Sequence, residues 1–239
     1  MALEDSGFGR LIGALVSPGR TFRSIAERPT WAVALVALLV VGTITGVLAN
    51  KRIDPNDMRQ TVEKRMEKQL GQRPTPDQVD SQMNIAKKVT AVFIWLAPVA
   101  SVMFYLLLAL LFWLAFRFVA GSELGYKTSF SVLLHAFMPW LVAGLLTLPV
   151  ILSREHIGVQ EAQQGLLASN LAAFAPESAG SALKSLLGSL DFFSLWTLVL
   201  LILGYRTAAK SSTGSAVAVI LVVWLLYVGI KVGLGALFG

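Results

Sequence analysis

The sequence predicts an all-α membrane bundle of five transmembrane helices, with an N-terminal amphipathic helix and an extramembrane helical hairpin. Three observations carry this prediction. Charge is scarce: 20 Lys/Arg and 14 Asp/Glu in 239 residues make 14%, against roughly 25% in an ordinary soluble domain. Hydrophobic residues make up 55% of the chain, and mean hydropathy is +0.68. The charges are also clustered, with seven in residues 1–30, fifteen in residues 50–88 and only twelve in the last 151. Between the clusters lie uncharged runs of membrane-spanning length, about 20 residues. Such a composition is incompatible with disorder. The chain has no cysteine, which excludes thiolate catalysis, disulfides, iron–sulfur clusters and cysteine-bound zinc.

The first 29 residues read as an amphipathic interfacial segment. Phe8, Leu11, Ile12, Leu15 and Val16 recur at helical spacing. Ser17-Pro18 reads as a helix cap followed by proline at the first helical position. Phe22 and Ile25 then form an apolar face opposite Arg20, Arg23 and Glu27, and Arg28-Pro29 stops the helix. Beside a span, this pattern fits a helix in the inner-leaflet interface, with Arg10, Arg20 and Arg23 facing anionic headgroups. Packing of the same helix on the protein's own spans is the alternative.

Residues 30–239 read as the membrane domain, with spans at about 31–49, 89–116, 128–152, 187–205 and 213–237. Residues of both charge signs precede the first run, and no small-residue cleavage site marks it as a signal peptide, so it reads as a retained span. Between spans one and two, residues 50–88 read as a helical hairpin. Asp54-Pro55 opens the first helix and Gly71 ends it; Thr75-Pro76 opens a second that runs into span two. The stripe Met58, Val62, Met66 and Leu70 packs against Val79 and Met83 on this reading, or offers a partner-binding face. Pro98 and Pro139 are expected to kink spans two and three. Span four is the weakest, because reaching full length requires starting it at residue 187, which places Asp191 inside the hydrophobic stretch. Trp31, Trp95 and Tyr205 fall near span ends and read as interface anchors.

Loop basicity sets the orientation. The short loops holding Arg117 and Lys127, and Arg206 and Lys210, read as inside. The longer loop after span three carries Arg154 and Lys184 against Glu155, Glu161 and Glu177, and reads as outside. This gives a cytosolic N-terminus and an outer C-terminus in the inner (cytoplasmic) membrane. The basic hairpin 50–88 dissents from the rule, with nine Lys/Arg against six Asp/Glu.

Charges inside a membrane are expensive and mark candidate sites. Asp191 and Lys231 lie equally far from the turn near Ser211, so an antiparallel pair of spans puts them at one depth. An ion pair is one expectation. A helix cap at Asp191 with a snorkelling Lys231 is the other. His135, inside span three, reads as a helix-packing hydrogen bond rather than a proton relay. Gly42-x-x-x-Gly46 and Gly229-x-x-x-Gly233 are candidate helix-packing glycines, within the chain or between copies. No phosphate-binding glycine loop, metal cluster or nucleophile triad is present in the sequence, and no cofactor, metal or catalytic residue is expected. The net charge of +6 fits anionic lipid rather than nucleic acid.

Several residues together resemble the Yip family of multipass membrane proteins (Ypt/Rab-interacting proteins), in its bacterial branch. They are Pro18 and Phe22 before span one, Tyr126 in a short loop, Ala136-Phe137-Met138-Pro139 in span three, and Leu190-Asp191-Phe192-Phe193-Ser194-Leu195-Trp196 with Gly204 in span four. The resemblance implies five spans and a cytosolic N-terminus. Eukaryotic members bind lipidated Rab GTPases, but their Asp-Leu-Tyr-Gly-Pro motif is replaced here by Glu-Arg-Pro-Thr-Trp at 27–31. A Rab-type GTPase is therefore not the expected partner. The expected role is a non-enzymatic scaffold that organises lipids, a protein partner or copies of itself. The alternative is a small transporter or lipid-translocating protein using Asp191, Lys231 and His135.

Overall fold

The structure is a computed structural model that describes residues 6–176 and 179–238; Glu177, one acid of the loop expected to lie outside, is not among them. Among the described residues the chain is helical apart from short turns and two isolated bridges. Four helices are long and apolar enough to cross a membrane: Ala32–Lys51, Pro76–Val119, Tyr126–Leu152 and Thr213–Leu237. A shorter apolar helix, Phe192–Ala208, joins them.

Two short helices come first, α1 (Gly7–Val16) and α2 (Pro18–Glu27), separated only by Ser17. Pro18 supplies the first helical position of α2, where a missing N–H is harmless. Span one is α3 (Ala32–Lys51). The hairpin follows as expected. Asp54 caps α4 (Pro55–Leu70), accepting from the Asn56 N–H at 2.8 Å, and Gly71 ends it at φ 68°. Thr75 and Gln78 form a capping box that opens α5 (Pro76–Val119). This 44-residue helix continues through Pro98 into span two without a break. Val79 and Met83 are buried beside α4, and Arg59 pairs with Asp80 across the hairpin.

Span three departs from the expectation of one kinked helix. It is two helices, α6 (Tyr126–Ala136) and α7 (Met138–Leu152), broken at Phe137. Pro139 sits in the first turn of α7, so the missing amide falls among donors that lack a helical partner anyway. Every residue of α6 from Ser129 to Ala136 is buried, because α1, α2, α3, α5 and α10 (Phe192–Ala208) surround it. Span four is also corrected. It starts at Phe192, not at residue 187; residues Ser181–Leu187 form a separate short helix, α9. Its 17 residues give a length of about 25 Å, a little under the ~30 Å hydrocarbon core. Span five is α11 (Thr213–Phe238).

Between α7 and α10 the loop folds back on the hairpin. After α8 (Val159–Gln164) it also pairs with the start of α10. Ile157 is fully buried, donating its N–H to the Arg52 carbonyl at 2.7 Å and accepting from the Asp54 N–H at 2.9 Å. Tyr205 is no interface anchor: it is fully buried, stacked on Phe116 with centroids 4.9 Å apart.

Candidate functional site

Helices α1 and α2 dock into the bundle. Phe22 and Ile25 are fully buried, as is Ala14 on α1, and Leu11 beside it is nearly so. The pocket for Phe22 exists because residue 204 is glycine. A Cβ there would lie 2.7 Å from Val132 Cγ1 and 3.0 Å from two Phe22 ring carbons. The alternative of packing on the protein's own spans therefore holds for this face. The opposite face of α1 remains apolar and exposed, with Phe8 74%, Ile12 63% and Val16 71% accessible. Arg20 and Arg23 are exposed on α2.

Arg10 corrects the expectation that it faces headgroups. It is only 3% exposed. Its guanidinium donates to the Arg28 carbonyl at 2.7 Å, to Thr30 Oγ1 at 2.8 Å and to Ser24 Oγ at 2.8 Å. The planar fork of donors satisfies the end of α2 and the linker to α3 together, which makes burial of the charge tolerable. The residue shares a helical face with Leu11 and Ala14, and that proximity was the sequence signal for its inward direction.

His135 is buried, with Nδ1 2.8 Å from the Ser131 carbonyl of its own helix, so this bond does not cross between helices. Nearby, a hydroxyl network that sequence reasoning missed locks α6 to its neighbours. Ser129 Oγ lies 2.8 Å from both the Ala109 carbonyl of α5 and the Tyr205 hydroxyl of α10. Tyr126 donates to the Leu106 carbonyl at 3.0 Å.

Asp191 is the N-cap of α10. Oδ1 accepts from the N–H groups of Phe193 at 2.8 Å and Ser194 at 3.1 Å, while Ser169 Oγ donates to Oδ2. Lys231 reaches toward the same end of the bundle. Its Nζ lies 3.7 Å from where a Cβ on Gly188 would stand. Gly188 stands only three residues before Asp191, the charge expected to partner Lys231. Among the described residues no direct ion pair joins them, and the side chain of Asp191 is occupied in capping.

The four expected packing glycines meet no other helix within this chain. A Cβ on Gly42, Gly46, Gly229 or Gly233 would meet nothing within 4 Å. A Cβ would collide elsewhere: on Gly144 it would stand 2.6 Å from Val41 Cγ1, on Gly204 against Val132, and on Gly235 2.6 Å from Ser185 Oγ. Spacing along one helix does not say which face another helix covers.

A cavity of about 400 Å³ opens between α5, the α6–α7 break, α10 and α11. Its walls are mainly aromatic and aliphatic, including Tyr105, Phe112, Phe137, Trp140 and Trp224, with Thr197 among them. Neither Asp191, Lys231 nor His135 lines it.

The family model for the Yip1 domain matches residues 12–234. The chain belongs to the Yip1 domain family. Neither a search of curated proteins nor a search of solved structures finds a match. The Yip1 match runs from the second half of α1 into α11, so α2 and the bundle it docks on fall within one family unit. Of the residues on which the resemblance rested, Phe22 and Gly204 are in contact. Pro18 and Pro139 start helices, and Tyr126 ties α6 to α5. Trp196 lies beside Phe192, ring centroids 5.7 Å apart. These Yip1 residues take part in building the bundle.

Proposed function

We propose that this multipass Yip-type protein is a non-enzymatic membrane organiser whose cytosolic hairpin, α1 and α2, engages the inner leaflet. The observation that carries this reading is the two-faced hairpin. One face anchors in the bundle through Phe22 and Ile25. The other presents the apolar stripe Phe8, Ile12 and Val16 beside exposed Arg20 and Arg23. An apolar stripe with adjacent cations suits the boundary between acyl chains and anionic headgroups, at about 1 kcal/mol per basic residue. The reading places the protein in the inner membrane with its N-terminus cytosolic, and leaves catalysis out. Transport is the weaker alternative, since Asp191, Lys231 and His135 share no cavity with one another at the aromatic pocket.

The test is native mass spectrometry of the full chain released from vesicles of phosphatidylcholine mixed with phosphatidylglycerol. Retained phosphatidylglycerol is expected to fall several-fold on replacing Arg20 and Arg23 by Gln. An unchanged lipid profile refutes the inner-leaflet role.

A further inference from the structure

The cavity among α5, α7, α10 and α11 contains an anomaly. Thr197 Oγ1 is buried, its residue only 4% exposed, and has no hydrogen-bond partner. Helical threonines ordinarily satisfy themselves by bonding the carbonyl four residues back. Thr21, Thr45, Thr147 and Thr207 all do so here. Thr197 does not; it lines the cavity instead. A buried hydroxyl without a partner is costly, and each such group in a native structure calls for an explanation.

The cavity walls narrow the explanation. No Asp, Glu, Lys or Arg lines the space, so a charged group inside it would be uncompensated. Aromatic rings dominate the lining, and the volume falls toward the low end of ordinary small-molecule sites, roughly 300–1,000 Å³. Phe104, Trp140 and Tyr227 line the cavity and are also substantially exposed, which places its mouth on the outer surface of the bundle. We infer that this cavity binds a neutral lipid, its hydrocarbon chain against the aromatic wall, with Thr197 rotating about χ1 to bring its O–H from its enclosed position to one carbonyl or hydroxyl oxygen of the guest. This assignment rests on the cavity alone. No residue of α1 or α2 lines it, so it stands or falls separately from the leaflet reading.

The experiment uses the detergent-solubilised full chain and a long-chain fatty alcohol carrying a diazirine. Photolabelling is expected on α10 and α11 near Thr197 and Trp224. The parent alcohol should compete about fivefold better than an alkane of equal length, the worth of one neutral hydrogen bond. An ionised fatty acid should compete worse than the alcohol. Thr197→Val keeps the shape and should erase the alcohol's advantage over the alkane. Val223→Trp, on the cavity wall, should reduce labelling by any chain. Labelling spread over the exposed face of Leu225 and Leu226, or an alcohol preference that survives Thr197→Val, overturns the assignment.

Discussion

Replacing Gly204 by alanine is the sharpest probe of how the N-terminal hairpin is held. The added methyl would stand 2.7 Å from Val132 Cγ1 and 3.0 Å from the Phe22 ring. Both neighbours are fully buried, and Val132 lies on the most enclosed helix in the bundle, so the ring has to move. Overpacking of this kind costs about 1–3 kcal/mol. The cost falls on the contact between α2 and α10 and does not reach the cavity-lining part of α11. A loss near 2 kcal/mol raises the population of the undocked hairpin about 30-fold. The absence of native cysteine makes this measurable directly. Ile25→Cys, buried when docked, should react with maleimide slowly in the parent and about 30-fold faster with Gly204→Ala. Arg23→Cys, exposed in both, is the reference. Adding Phe22→Ala should make the two costs non-additive by about 1 kcal/mol, since the methyl then presses on Val132 alone and no longer on the ring. Equal protection of Ile25→Cys with and without the extra methyl would refute the docking argument.

Two further outcomes follow from the buried polar groups. Arg10→Lys should fail to rescue the loss caused by Arg10→Ala, because one ammonium cannot serve acceptors at Ser24, Arg28 and Thr30 together; folded yield and thermal unfolding read this, with an expected loss of about 2–4 kcal/mol. Asp191→Asn should cost well under 1 kcal/mol, since asparagine also caps helices, whereas Asp191→Ala should cost about 1–2 kcal/mol by thermal unfolding.

Much of the fold was legible because its causes are local. Asp54, Gly71 and Thr75-Pro76 mark helix ends by their own chemistry, and the structure ends its helices there. The long runs reveal spans because hydrocarbon selects against charge over about 20 residues. The facing of helices was not legible, because in a membrane both lipid and neighbouring helices are apolar. Gly42 and Gly229 carry the same motif as a true packing site yet face open space, while Gly204, with no partner at motif spacing, receives Phe22. Asp191 was visible as a charge beside a weak span. That it is a cap depended on where α10 begins, and the leucine-rich stretch before it disguised that start. Thr197 gave no sequence signal at all, since its distinction is a bond it does not make.

The unbroken α5 has a mechanical consequence. Forty-four residues make a rod about 66 Å long, more than twice the ~30 Å hydrocarbon core. The hairpin turn at Gly71 is therefore coupled to span two through one continuous helix, with Pro98 the point along it where a backbone hydrogen bond is missing. Force applied to the hairpin tip is carried past Pro98 to the buried contacts of Ala109, Phe112 and Phe116 with the bundle. Whatever grips the hairpin holds the handle of a lever whose fulcrum is inside the membrane.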